Sequence, residues 1–454
     1  MDRNKMINKI NDTAIYDFIV IGGGATGIGI ALDASSRGYS VILLEMSDFT
    51  KSTSSKSTKL VHGGVRYLAQ GDVALVREAV VERGLLTQNA PHLVKDQSFI
   101  IPTQSFFDEL QYTVGLTFYD LLAGKLSLGR SKRISKAKTI KRISTINPKK
   151  ITAGVVYHDG QFDDTRLAIN ALQSATERGA IVINYCKVTG LIKDGSGNVS
   201  GVKFFDEEEK KSYEIKGKQV VNATGVFADD VLKMDSPNAK KTIAPSQGVH
   251  IVLDKSFLPD NDAIMIPKTD DGRVLFLVPW HGRVIVGTTD TPIEEESLEP
   301  IALEEEIQFI LNTASRYLTK APKRSDVLSV FAGLRPLAAA EEGKKTKEIS
   351  RSHKIFTSNS GLLTIVGGKW TTFRKMGEDL VDKTEIKNTW AHIPTKTKHL
   401  KIHGYKENVD YNNPLYFYGS DEEAVLELAS KNGKGDFIST SLEIINAQVV
   451  WAVR

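Results

Sequence analysis

The chain of 454 residues holds a single cysteine, Cys186. That excludes a disulfide framework, a CxxC redox pair and a thiolate-ligated metal or iron–sulfur centre, and it fits a reducing cytoplasm. Redox chemistry, if the chain performs any, needs a bound organic cofactor, and no metal is expected. Long apolar runs are lacking too. The opening MDRNKMINKINDTA is polar and has no signal-peptide core, and no stretch approaches the length that spans a bilayer. Internal repeats and low-complexity tracts are absent. The hydrophobic and charged fractions are those of a globular protein, and the length asks for two or three domains.

Acidic residues are missing from one long stretch. Net charge is only +4, yet between Leu121 and Tyr157 there are ten Lys or Arg residues and no Asp or Glu. They are Lys125, Arg130, Lys132, Arg133, Lys136, Lys138, Lys141, Arg142, Lys149 and Lys150. Such a run reads either as a solvated inter-domain loop or as a contact with an anionic membrane. The second reading draws on Phe118, Tyr119, Leu121, Leu122, Leu126 and Leu128, which precede or interleave the charges. No nucleic-acid-binding motif accompanies it, so nucleic acid is not an expected partner.

What is present begins at the N-terminus. An apolar run from Tyr16 ends in glycines at Gly24, a helical pattern runs through Ile30, Ala31 and Ala34 to Gly38, and a second apolar run ends on Glu45. This is a βαβ unit, which places the first domain in the α/β class. Gly22, Gly24 and Gly27 form G-x-G-x-x-G at the turn between strand and helix. The first glycine permits the tight turn, the second lets the backbone approach a pyrophosphate, and the third lets helix pack on strand. Glu45 then stands where a carboxylate holds the hydroxyls of an adenosine ribose. Further on, Ile181 to Tyr185, Val199 to Phe205 and Tyr213 to Asn222 read as strands, and Val274 to Pro279 with Arg283 to Gly287 as an antiparallel pair. From about Asp421 the pattern turns helical, and Ser441 to Arg454 reads as an amphipathic helix with no stop signal, which suggests a last domain that continues beyond the chain.

Two later blocks, Asn222-Ala223-Thr224-Gly225 and Gly367-Gly368-Lys369 with Thr371 and Thr372, resemble the segments that return to the cofactor in FAD proteins of the glutathione-reductase-like class. No second nucleotide fold is evident, so electrons should enter from an oxidised substrate rather than from NAD(P)H. The most distinctive segment runs from Thr53 to Leu68, TSSKSTKLVHGGVRYL. Together with VNATG, GTTD at Gly287 to Asp290, G-x-RPL at Gly333 to Leu337 and GGKWTTFRK, it resembles the FAD-dependent glycerol-3-phosphate dehydrogenases. The likeness extends from about Tyr16 to about Lys383.

The resemblance implies an α/β fold with a Rossmann-type FAD-binding domain over 14–65, 151–232 and 330–384. It also implies an antiparallel substrate domain over 66–150 and 233–329, and a helical C-terminal domain over 385–454, with the active site between the first two. FAD would be held by Gly22, Gly24, Ala25, Thr26, Gly27, Glu45, Thr53, Ser54, Ser55, Lys59, Leu60, His62, Val188, Ala223, Thr224, Gly225, Gly368, Lys369 and Thr371. The substrate, a phosphate dianion, would be held by Arg66, Tyr67, Arg335, Arg351 and Lys369, because burying such a charge demands guanidinium or ammonium partners. Removing the hydroxyl proton as hydride leaves carbon needs a base. His250 is preferred, with His62 as the other candidate and Arg335 stabilising the developing oxygen charge. The same likeness implies glycerol 3-phosphate as substrate, a quinone as acceptor and a peripheral place on the inner face of the cell membrane. A homodimer is compatible with it. Three alternatives remain open: a glycerol-3-phosphate oxidase using oxygen, an amine or amino-acid oxidase, and a flavoprotein whose FAD is structural.

Overall fold

In a computed structural model the expected N-terminal βαβ unit is present: strand Tyr16–Ile21, helix Ala25–Arg37 and strand Val41–Leu44. The structure describes residues 1–69, 71–270, 272–339, 352–431 and 435–453, except the side chains of Asn11, Arg66, Ala69 and Ser441. Around that unit the first sheet runs in the order Lys354–Thr357, Leu363–Val366, Lys211–Asn222, Tyr16–Ile21, Val41–Leu44, Ile181–Ile183. Its central pairs are parallel. Phe18, Ile19, Val20, Ile42 and Leu43 are fully buried, as strands covered on both faces must be. Cys186–Lys193, Val199–Asp206 and Lys211–Asn222 form antiparallel pairs beside it.

Close backbone approach fixes one layer over this sheet. Helix Ala25–Arg37 crosses helix Phe373–Lys387 at glycines: a Cβ on Gly29 would lie 2.3 Å from the Phe373 carbonyl oxygen, and one on Gly377 2.3 Å from the Gly29 oxygen. Buried Arg37 then ties the pair, reaching Asp33 at 2.6 Å within its own helix, and Asp382 at 2.6 Å and Glu385 at 3.1 Å on the other. This crossing brings the GGKW segment, which precedes the second helix, alongside the glycine turn that opens the first.

The second sheet is mostly antiparallel. It runs Thr291–Pro292, Ile243–Asp254, Arg283–Gly287, Leu275–Trp280, Ala263–Ile266, Val94–Thr103, Ala153–Phe162, Leu60–Val61, with Val327–Ala338 paired to Ile243–Asp254 and Lys132–Ser135 to Ala153–Phe162. One pair, Ala263–Ile266 with Val94–Thr103, is parallel. The expected pair at 274–287 is present, with its strands at Leu275–Trp280 and Arg283–Gly287.

Sheet membership departs from the expected boundaries. Ala153–Phe162, Leu60–Val61 and all of Val327–Ala338 but its first three residues fall in the ranges expected for the FAD-binding domain, and all three are strands of the second sheet. The ladder from Ile243↔Ala338 to Leu253↔Val327 is long enough to override any boundary drawn at 330. The C-terminal expectation also needs correction. Between Asn388 and Leu415 the backbone is irregular, apart from a short turn at Thr397–His399, before a helix at Glu422–Ala429. The expected helix over 441–454 is confined to Asn446–Ala452, because Ile444–Ile445 pairs with Phe437–Ser439.

Helix Phe106–Ala123 packs Tyr112, Leu116, Tyr119 and Ala123 inward. On its other side Phe106, Phe107, Leu110, Val114, Phe118 and Leu121 are exposed, Phe107 by 72% and Leu121 by 72%. Among the described residues no helix is long and apolar enough to cross a membrane.

Candidate active site

Two adjoining clefts mark the meeting of the sheets. One, of about 540 Å³, is lined by Gly22, Gly24, Ala25, Thr26, Glu45, Thr53, Ser54, Val188, Ala223, Thr224 and Gly225. The other, of about 280 Å³, is lined by Thr58, Leu60, His62, Tyr67, His250, Arg335 and Thr371. Gly367, Gly368, Lys369 and Trp370 border both.

The geometry of the first cleft suits a dinucleotide. Gly22 holds φ +107°, and a Cβ on Gly27 would lie 1.9 Å from the Gly22 oxygen, so the turn admits no side chain at either place. The helix it opens directs its N-terminal end into the cleft, and Ser54 Oγ accepts from the Ala25 N–H at 2.9 Å. Glu45 takes the N–H of Gly23 at 2.6 Å and of Ser47 at 2.9 Å. Burial pushes its carboxyl above the ordinary range, against those two bonds. With no cation beside it in the hydrogen-bond and ion-pair geometry of the described residues, Glu45 matches neutral ribose hydroxyls rather than a 2′-phosphate. The residues present therefore fit FAD, whose adenosine ribose Glu45 would hold.

In the smaller cleft His250 lies on strand Ile243–Asp254. Its ring stacks on Phe331 with centroids 4.8 Å apart. Its Nε2 is 2.9 Å from Thr58 Oγ1, and its buried Nδ1 has no hydrogen-bond partner among the described residues. Burial first, then the charges of Arg335 and Lys59, lower its pKa to about 3, so the imidazole is neutral near pH 7. Arg335, on the neighbouring strand, is oriented by the GTTD loop. Its Nη2 donates to Thr288 Oγ1 at 2.9 Å and the Thr289 carbonyl at 2.8 Å, and its Nη1 to the Gln247 carbonyl at 3.2 Å and Asp290 at 3.4 Å. Lys369 Nζ lies 4.1 Å from the centre of the Tyr67 ring. The His62 ring lies 6.4 Å from that of Phe276, centre to centre, and its backbone N–H donates to Thr371 Oγ1 at 3.1 Å.

Three sequence-derived residues stand apart from the cleft walls. Lys59 is strapped to Asp164 at 2.6 Å and to the Ser55 carbonyl at 2.8 Å, and Ser55 turns back to Ser52. Gly27 packs beneath Gly22. Arg351 and the side chain of Arg66 lie outside the described residues. Sequence reasoning missed Lys56, Asp159, Arg273 and Phe276 as wall residues of the smaller cleft. Arg273 follows a polar turn and carried no motif; Thr288 to Asp290 were legible as the GTTD block without their role in holding Arg335.

Fold and site together define an FAD-dependent oxidoreductase, and the family described as FAD dependent oxidoreductase matches residues 17–374. The chain is 39% identical to the mitochondrial glycerol-3-phosphate dehydrogenase of Schizosaccharomyces pombe, over 94% of this chain and 73% of that protein. It is 38% identical to the mitochondrial enzyme of Mus musculus, over 96% of this chain and 62% of that one. A solved structure of the glycerol-3-phosphate dehydrogenase from Bacillus halodurans complexed with FAD superposes with a TM-score of 0.80 at 29% identity, covering 100% of this chain and 85% of that one. The chain belongs to the FAD-dependent glycerol-3-phosphate dehydrogenase family, and FAD is its cofactor.

Proposed function

We propose that this chain oxidises sn-glycerol 3-phosphate at C2 to dihydroxyacetone phosphate, on the inner face of the cell membrane, with a quinone as final acceptor. The observation that carries the chemistry is the gathering of Lys56, Arg273, Arg335 and Lys369 around one cleft with a neutral, buried His250. The two carboxylates in the same walls are engaged, Asp159 by Arg83 at 2.6 Å and Asp290 by Arg335 at 3.4 Å. Guanidinium and ammonium groups gathered on one cleft suit a phosphate dianion.

Bound FAD supplies the two-electron acceptor for the hydrogen that leaves C2 as hydride. The protein's part is to place the alcohol and take its proton. His250 Nδ1 accepts the hydroxyl proton while Nε2–H donates to Thr58 Oγ1. Arg335, locked by Thr288 and Thr289, meets the growing negative charge on oxygen without reorganising. Lys369 and the N-terminus of helix Phe373–Lys387 add positive potential where the two clefts meet.

The membrane reading rests on helix Phe106–Ala123. Its exposed apolar stripe is followed by exposed Lys125, Arg130, Lys132, Lys136 and Lys138, the pairing of apolar and basic surface that an anionic bilayer binds. Failure to sediment with anionic vesicles at low salt would remove it. The chemical reading is tested by adding glycerol 3-phosphate to the yellow protein without oxygen, then a quinone analogue or air. Bleaching with fast recovery on quinone and slow recovery in air is expected. Fast recovery in air with peroxide would make it an oxidase, and no bleaching would overturn the substrate.

A further inference from the structure

The strand that carries Arg335 does not by itself decide where the guanidinium points. Two carbonyl oxygens direct it, that of Gln247 at 3.2 Å and that of Thr289 at 2.8 Å. The side chains of those same two residues converge on one carboxylate that lies outside the cleft walls, Glu306. Thr289 Oγ1 donates to Glu306 Oε1 at 2.9 Å, and Thr291 Oγ1 to the same oxygen at 2.6 Å. Gln247 Nε2 donates to Oε2 at 2.7 Å, and the Leu303 N–H at 3.0 Å.

Glu306 is the third residue of helix Glu304–Ser315. A glutamate there ordinarily does no more than take the N–H of the residue before the helix, and an exposed side chain suffices for that. Glu306 is buried and takes three further donors, from Gln247 and from the threonines on either side of Asp290. All are neutral, and the helix N-terminus supplies positive potential to a carboxylate held in this way. The same turn also reaches His250. Thr289 Oγ1 accepts the N–H of Val249, the preceding residue, at 2.9 Å. A Cβ on Gly287 would lie 2.3 Å from His250 Cδ2, and one on Gly248 2.4 Å from Arg335 Nη2. Imidazole and guanidinium thus rest directly on glycine backbone, so a shift of the turn is passed to both, and a misplacement of about 1 Å costs about 100-fold in rate.

We infer that Glu306 is a positioning residue for the oxidation: its carboxylate fixes the side chains of Gln247 and Thr289, and with them the carbonyl oxygens that aim Arg335 at the substrate oxygen. The inference rests on the roles of Arg335 and His250 given above. Glu306 acts through Arg335, since it borders neither cleft.

The test uses the FAD-loaded protein and follows anaerobic bleaching over a range of glycerol 3-phosphate concentrations, which separates the substrate Kd from the limiting rate. Glu306→Gln keeps the size of the side chain but, in either orientation of its amide, loses two of the four bonds. It should retain FAD and slow the limiting rate by at least about 10-fold, with a smaller change in Kd, because every cation of the cleft is still present. Glu305→Gln, one position away and exposed, should change neither. In an Arg335→Lys background, Glu306→Gln should cost no more than about 2-fold further, since the group it positions is already gone. If Glu306→Gln fails to hold FAD, Thr289→Val removes one arm with Glu306 intact and should show the same loss of limiting rate. A lowered melting temperature with a wild-type limiting rate overturns the inference, and so does an undiminished loss on top of Arg335→Lys. Absence of bleaching in the wild type overturns instead the substrate reading on which it rests.

Discussion

Replacing Thr58 by Val tests the assignment of the base without touching the base. The two side chains are nearly the same shape, so packing changes little, but the oxygen 2.9 Å from His250 Nε2 is lost. In the resting enzyme that bond joins neutral groups and contributes about 1 kcal/mol. When Nδ1 takes the substrate proton the ring becomes a cation, and its Nε2–H then needs an acceptor in a site where burial, with the charges of Arg335 and Lys59, has lowered its affinity for protons. A hydrogen bond to a charged group contributes about 1.5–3 kcal/mol, which corresponds to a slowing of about 10-fold to about 150-fold. The flavin should stay bound, because Thr58 borders only the smaller cleft. Stopped-flow recording of flavin absorbance after anaerobic mixing with glycerol 3-phosphate measures the step directly. A Thr58→Val enzyme that bleaches at the wild-type rate, beside a His250→Ala enzyme that does not bleach, would refute the proposed use of Nε2. Normal bleaching in both would move the base elsewhere.

Gly27→Ala should abolish stable flavin binding, weakening it by at least about 10-fold, since the new Cβ would lie 1.9 Å from the Gly22 oxygen; the ratio of flavin to protein after gel filtration reports it. Arg335→Lys keeps the charge but cannot span Thr288 and Thr289, and should raise the Kd for substrate by about 10-fold to about 150-fold, from the loss of charged hydrogen bonds, with FAD retained. Acid stability should fall early. Burial lowers His250 to about 3 and His92 to about 4, whereas both titrate near 6.5 when unfolded. Between those values the unfolded chain binds more protons than the folded one. Stability is therefore complete above about pH 6.5 and is lost as pH falls, by up to about 1.4 kcal/mol per pH unit for each group. Thermal melts from pH 7 down to pH 4.5 should show that slope, and His92→Gln should make it shallower.

Several parts of this molecule were written locally. The glycine turn is legible because a backbone that must hold Gly22 at φ +107° and bring Gly27 against it tolerates one residue type, whatever the rest of the chain does. Strands such as Lys211–Asn222 and Leu275–Trp280 were legible because alternation and turn residues act within a few positions. The amphipathic reading of the tail failed at that same range: Ile444 and Ile445 satisfy a helical period, but they are spent in a two-stranded ladder. Nor could the helical period of the segment around Phe118 and Leu121 tell by itself which apolar residues face inward.

The sequence by itself determined the class of cofactor, the α/β start, and a set of cationic residues suited to a phosphate. Each of these follows from chemistry that a short segment carries. The tertiary structure decided which of those groups meet. Thr58 reaches His250 across the chain because Leu60–Val61 and Ile243–Asp254 belong to one sheet. Lys59 is turned away to Asp164, Arg273 arrives in the cleft from an unremarked hairpin, and Tyr119 finds Gly63 from a helix whose other face is bare. Such meetings depend on strand order and helix crossing, which are fixed by burial and hydrogen bonding summed over the whole fold, and so are not encoded in any one stretch of sequence.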